Sequence, residues 1–203
     1  MSTLTVYSGS ADGYMDGHSP TYATARSTMN SSNYAGMSND AGQEYDGSNF
    51  DYMYSVFVFD LSSLPGGSTV SSAVLTVTTY EFDGTVAFTL EARQTTNTSW
   101  VTGASLSGLT LLAHIASSGL SASGSYALTS DGMAAACAAA AGSTLYVLMA
   151  TDLMRLGTAP GGSGQNSYVG MDYAEIGGAN RPTLVINYTA GIDRSPLIFC
   201  GRC

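Results

Sequence analysis

The sequence contains no lysine, and its six basic side chains are all arginines. Without lysine there is no side-chain amine for Schiff-base chemistry or for a lysine general base. Six arginines against 15 acidic residues give a net charge of −9, so no basic patch can neutralise a run of phosphates. Nucleic acid is therefore not an expected partner. Cysteines number three, an odd count. Cys137 lies in an alanine run and reads as a small buried apolar residue, while Cys200 and Cys203 form a terminal CGRC. No cysteine framework staples the body of the fold, which must stand on its core. A thioredoxin-like reading of CGRC needs a strand before it and a helix after it, and two cysteines are too few for a closed zinc site.

Long apolar runs are missing too. No stretch approaches 18 residues, so no membrane-spanning helix is expected. The opening MSTLTVYSGSADGYMDG has neither a basic n-region nor an apolar h-region, and no secretory signal is expected. There is no G-x-S-x-G and no H-E-x-x-H, and the glycine loop PGGSGQ lacks the lysine of a phosphate-binding loop. The two histidines, His18 and His114, are far apart and form no recognisable metal or acid–base motif. Glu81, Asp83, Glu91 and Glu175 lie on or beside expected strands, but nothing in the spacing fixes a carboxylate pair for glycoside hydrolysis. The chain is not expected to be an enzyme.

What is present is turn-rich and apolar. Hydrophobic residues make up 44% of the chain and glycines number 24, enough for one sizeable β-rich core. Alternating or apolar runs at 3–7, 21–29, 52–60, 70–80, 85–93, 108–115, 124–128, 144–151, 168–175 and 181–189 read as about ten short strands. The run at 52–60 is apolar on both faces and reads as central. In the run at 85–93, Val86, Phe88 and Leu90 are expected to point inward. Residues 130–141, SDGMAAACAAAA, read as the one clear helix, capped by Ser130 or Asp131 and stopped by Gly142. The pattern predicts an all-β sandwich of two antiparallel sheets over 1–190, followed by a C-terminal arm at 191–203. Leu197, Ile198 and Phe199 give that arm an apolar centre, with Cys200 and Cys203 behind it. Such a tail is a liability unless it docks on its own domain or on a neighbour.

Four stretches carry a resemblance: YSVFVFDLSSLPGGSTVSSAVLTVTTY, TLEAR, TSDGMAAACAAAAGSTLYVLMATD and NRPTLVINYT. Together they resemble the DNRLRE-type domain, related to the carbohydrate-binding jelly rolls. The connector FDLSSLPGG and the closing NRPTLVINY are its most specific parts. The resemblance implies a jelly-roll β-sandwich with a display or binding role, and it supplies no catalytic residues.

Two ligand chemistries remain to be placed. Acidic loops offer Asp12, Asp16 and Asp46 as oxygen ligands for Ca²⁺, beside Asp40, Glu44 and Asp51, although Asp-Gly pairs also serve as plain turn formers. Tyr34, Tyr45, Phe50 and Tyr52, with Trp100, offer an aromatic platform among hydrogen-bonding side chains, as glycan sites use. Otherwise these rings pack under a loop or at a subunit contact. The expected function is that of a non-enzymatic bacteriophage virion protein, on the capsid exterior as a decoration protein or on the tail. It would be assembled in the host cytoplasm, as a homo-oligomer or on a major capsid or tail protein, and could adhere to glycans. The alternative is a carbohydrate-binding or adhesion module of a cell-surface protein. No cofactor beyond Ca²⁺ is expected.

Overall fold

The stretch Phe50–Asp60 has apolar side chains on both alternating faces, and a strand of that kind needs cover on both sides. The computed structural model describes residues 1–28, 31–33, 39–96, 101–173 and 180–191, with backbone alone at 31–33. It shows an antiparallel all-β, sandwich-like molecule organised around that strand. The strands are β1 (Ser2–Tyr7), β2 (Gly13–Ser19), β3 (Ser31–Asn33), β4 (Asn39–Tyr45), β5 (Phe50–Asp60), β6 (Thr69–Asp83) and β7 (Thr89–Thr95). They continue as β8 (Leu111–Ala116), β9 (Gly124–Ala127), β10 (Thr129–Ser130), β11 (Thr144–Thr151), β12 (Ser167–Met171) and β13 (Thr183–Thr189). No helix among the described residues is long and apolar enough to cross a membrane.

The layers are not separate sheets. One hydrogen-bonded path runs β1-β13-β6-β12-β4-β5-β11-β7-β8-β10, with β2 added to β5, β3 to β2 and β9 to β6. Two long strands make this continuity. One edge of β5 pairs with β2 over Phe50–Val56, while the other takes β4 over Phe50–Met53 and then β11 over Ser55–Asp60. Likewise, β6 gives one edge to β13 and then β12, and the other to β9.

Two cores follow from the alternation along β5. Phe57 and Phe59 point into the main core with Leu75, Val77, Leu90, Val147, Leu184 and Ile186. Tyr52, Tyr54 and Val56 point the other way, onto a second cluster with Met15, Ala25, Leu106, Leu148 and Met154. Each such large side chain contributes roughly 1.5–3 kcal/mol by leaving water. The second cluster is covered by two short helices, α1 (Tyr22–Ser27) and α3 (Asp152–Leu156), and a 3-10 turn at Leu106–Gly108. The Ala-rich α2 (Met133–Ala139) packs Met133, Ala136 and Cys137 on the main core. Cys137 is fully buried, and burial pushes its thiol up to about 12.

Several local expectations are corrected. Residues 21–29 contain α1 rather than a strand, because Tyr22, Ala25 and Arg26, spaced i, i+3 and i+4, share a helical face. Ala25 is buried, and Arg26 donates to the carbonyls of Gly103, Met154 and Arg155, tying α1 to the end of α3. The alanine helix starts at Met133 and ends at Ala139. Neither Ser130 nor Asp131 caps it: Ser130 is drawn into β10 opposite Ala113, and the Asp131 carboxylate pairs with His114 at 2.6 Å. The strand expected from 85 begins at Thr89, leaving Val86 half-buried outside it. The polar stretch after residue 30 carries β3 and β4 instead of forming one long loop.

An ion triad, with Glu91 and Arg93 buried and Arg155 half-buried, pins β7 to α3. Arg93 donates to Glu91 at 2.7 Å, and Arg155 reaches both Glu91 oxygens at 3.1 Å. Burial pushes the Glu91 carboxyl up, but the hydrogen bonds from Arg93 and Arg155 outweigh it and hold the group below the usual range. Its stabilisation is therefore present above the ordinary glutamate pKa and lost as pH falls through the lowered folded value. Glu91→Gln should lower unfolding stability by about 3 kcal/mol at neutral pH, read by urea denaturation, because it leaves two guanidiniums without their anion. An effect under about 0.5 kcal/mol would mean that the triad is solvated in solution.

Candidate functional site

Antiparallel partners place their side chains on the same face of a sheet, so the register of β2, β5, β4, β12 and β6 defines what this part of the molecule shows to solvent. Tyr14, Asp16 and His18 of β2 stand opposite Ser55, Met53 and Asp51 of β5. Asp51 in turn stands opposite Glu44 of β4, and Gly42 stands opposite Met53. Tyr168 of β12 faces Gly42 on one side and Asp83 of β6 on the other. The result is one outward surface carrying Asp16, Asp40, Glu44, Asp51, Glu81 and Asp83, with Tyr14, Tyr80 and Tyr168 between them.

A β-bulge builds its centre. Gly170 and Met171 of β12 pair with Glu81 and Thr79, so Tyr80 is the extra residue of β6. Tyr80 and Glu81 are therefore both exposed, where regular alternation would bury one. Tyr80 lies over Gly170, where any Cβ would run into its ring, and its hydroxyl donates to Asp40 at 2.6 Å. Tyr168 donates to Glu81 at 2.8 Å. Gly42, at φ +147°, leaves room for Ser167 and Tyr168, which a methyl group there would strike. Gly170 thus lets the Tyr80 ring lie close to the sheet, Gly42 lets the β12 backbone at Ser167 and Tyr168 approach, and both tyrosine hydroxyls are held by carboxylates.

The charge of this surface is poorly compensated. The described arginines are engaged elsewhere: Arg26, Arg93 and Arg155 as above, and Arg181 over the Tyr7 ring at 4.9 Å. His18 pairs with Asp51 at 2.6 Å. Burial, then Asp51, raises the Asp16 carboxyl above its ordinary value. Burial, then Asp51, Asp83, Asp46 and Glu81, does the same to Glu44. Burial and the nearby carboxylates Asp16, Asp40 and Asp51 push the Tyr14 phenol far up, so it remains a hydroxyl donor at any physiological pH. Asp83 is the exception: burial raises it, but hydrogen bonds from Thr85 and Asn166 prevail and hold it low.

The residues singled out from the sequence fall in several places. Tyr34 and Trp100, and the arm residues Leu197, Ile198, Phe199, Cys200 and Cys203, lie outside the described residues, as does Glu175. Tyr52 is fully buried in the second core and is not a surface platform. Tyr45 and Phe50 stack on each other at 4.3 Å at the β4–β5 turn, on the opposite side of the hairpin from Glu44 and Asp51. Asp46 accepts the backbone amides of Ser48 and Asn49, which hold its carboxyl low. Asp12 is buried and accepts the Val58 amide at 2.9 Å. Only Asp16 of the three proposed calcium ligands lies on the tyrosine surface, and among the described residues no three metal-ligating side chains converge. Glu91 belongs to the ion triad. A cavity of about 210 Å³ beside Gln43, Leu153, Pro160 and Gln165 has no carboxylate or histidine among its described lining residues.

Tyr14, Tyr80 and Tyr168 were not anticipated from the sequence. A signal existed for Tyr80: buried positions run 73, 75, 77, 79, and the next residue packed on the core is Phe82. That change of phase marks a bulge.

No protein-family model matches this chain, and no curated protein matches it.

The His18 pair gives a pH signature. The hydrogen bond to Asp51 raises the imidazole pKa, with Asp46 and Asp16 adding to the effect and slight burial opposing it. A raised folded pKa contributes stability fully present below the unfolded value and lost as pH rises through the folded one. The melting temperature should therefore rise as pH is lowered from about 8 to about 6.5, and His18→Gln should flatten that rise. A slope that survives the substitution would assign the effect to another group.

Proposed function

We propose that this chain is a non-enzymatic display module whose tyrosine–carboxylate surface holds neutral, polyhydroxylated ligands of the glycan class. The observation that carries the reading is the Tyr80 bulge, which brings Tyr80 over Gly170 onto the acidic sheet face beside Tyr168. Carboxylates accept hydrogen bonds from vicinal hydroxyl groups, and tyrosines offer an apolar ring face with a polar tip. A rigid sheet holds these groups in place before the ligand arrives, which lowers the ordering cost of binding. The uncompensated negative charge selects against sialylated, sulfated and uronic-acid sugars, because like charges brought together cost affinity.

The proposed setting is the exterior of a phage capsid or tail, on which such a module adheres to host or environmental glycans. The jelly-roll connectivity and the relation to DNRLRE-type and carbohydrate-binding domains belong to the same proposal. So does the C-terminal arm, whose Leu197, Ile198 and Phe199 would anchor the module to a homologous copy or to a major capsid or tail protein. Burial of three such side chains contributes roughly 5 kcal/mol before ordering costs. A cell-surface adhesion module would use the same face.

A glycan array of the wild type, Tyr80→Ala, Tyr168→Ala and Tyr45→Ala tests the reading. The wild type should retain neutral or amino sugars and pass over acidic ones. Tyr80→Ala and Tyr168→Ala should each weaken retention about tenfold, the loss of one ring contact, and Tyr45→Ala should not. Absence of any glycan signal, or signal lost only in Tyr45→Ala, would sink it.

A further inference from the structure

The strand β1 ends the hydrogen-bonded path: among the described residues Ser2–Tyr7 pair with β13 alone, and the next residue, Ser8, bridges to Phe59 of β5. Its sequence, STLTVY, has none of the devices that keep an edge from pairing: no charge, no proline and no bulge. Leu4 and Val6 point at the main core but are only partly buried, because the layer stops beside them. Thr3 and Thr5 are exposed on the other side.

Charge singles out the partner. The outer face continues from Thr3 and Thr5 through Val185 and Asn187 of β13 to Ser72 and Val74 of β6, all uncharged. The acidic half of the same sheet begins farther along β6, at the Tyr80 bulge, where β12 follows β13 on the same edge. A chain of net charge −9 resists a second copy almost anywhere. At β1 it does not: antiparallel pairing of two β1 strands about a two-fold axis places the acidic halves at opposite ends of one extended sheet. The uncharged outer faces of β1 and β13 then lie between them. From this we infer that β1 is a homodimer edge, where two chains pair antiparallel and complete the cover of Leu4 and Val6. The joint is isologous, so each favourable contact occurs twice. It is distinct from the C-terminal arm, and its failure leaves glycan recognition on the tyrosine surface untouched.

Light scattering on the full-length chain tests this. The wild type should be a dimer at micromolar concentration. Thr3→Glu with Thr5→Glu, at exposed positions, should raise the dissociation constant roughly tenfold or more by setting like charges beside each other across the axis. An equimolar mixture of that variant with Thr3→Lys/Thr5→Lys should restore a mixed dimer, which shows that both variants are folded. A third variant, Leu197→Ser/Ile198→Ser/Phe199→Ser, should still dimerise. A monomeric wild type, a dimer indifferent to the glutamates, or a failed mixed dimer would overturn the inference. A dimer lost only in the third variant would overturn it in favour of the arm. A dimer gained only there would overturn it in favour of the arm covering β1 within its own chain.

Discussion

Everything in this molecule hangs on burying both faces of β5. A strand that is apolar on each side cannot lie on the surface of a simple two-layer sandwich. Here the main core takes Phe57 and Phe59, and α1, α3 and the turn at Leu106–Gly108 form a lid over Tyr52, Tyr54 and Val56. The lid is thin, and its helices are too short to be stable alone. They are held by Arg26 on backbone carbonyls and by the Glu91 triad. Arg26, Arg93 and Arg155 thus serve the interior. Among the described residues that leaves the acidic half of the sheet without an arginine, and this charge segregation is what the functional reading uses.

The same strand explains why polar and apolar side chains share one alternating face. Asp51 is half-exposed beside His18, whereas Phe57 and Phe59, on the same side of β5, are wholly buried. Where β4 is the neighbour, that side looks out; where β11 is the neighbour, it looks into the core. A single long strand exchanging partners therefore joins the layers and ends the apolar pattern at the point where the acidic surface starts.

Much of the scaffold is legible in the sequence. The double-faced run at 52–60 and the strand at 144–151 have strong, uninterrupted patterns, and both stand as strands. Short segments are less legible because six residues complete too few turns to declare a period, as in α1. The surface was harder to see for a different reason. Tyr45 and Phe50 lie among polar residues and look available, yet they stack on each other; Tyr52 looks equivalent, yet the lid covers it. Tyr14, Tyr80 and Tyr168 are scattered over more than 150 residues of sequence and meet only through register. The single-residue slip at Tyr80 turns that ring to solvent, and only a break in the phase of buried positions betrays it.

The central claim is that one sheet face is divided at the Tyr80 bulge into a ligand-holding acidic half and an uncharged half. Residue-resolved NMR titration with a neutral oligosaccharide tests this most directly. The account predicts shifts confined to Tyr14, Asp40, Tyr80, Glu81 and Tyr168, with Thr3, Thr5, Val74 and Val185 unmoved. Shifts centred on Tyr45 and Phe50, or on the uncharged strands, would contradict it.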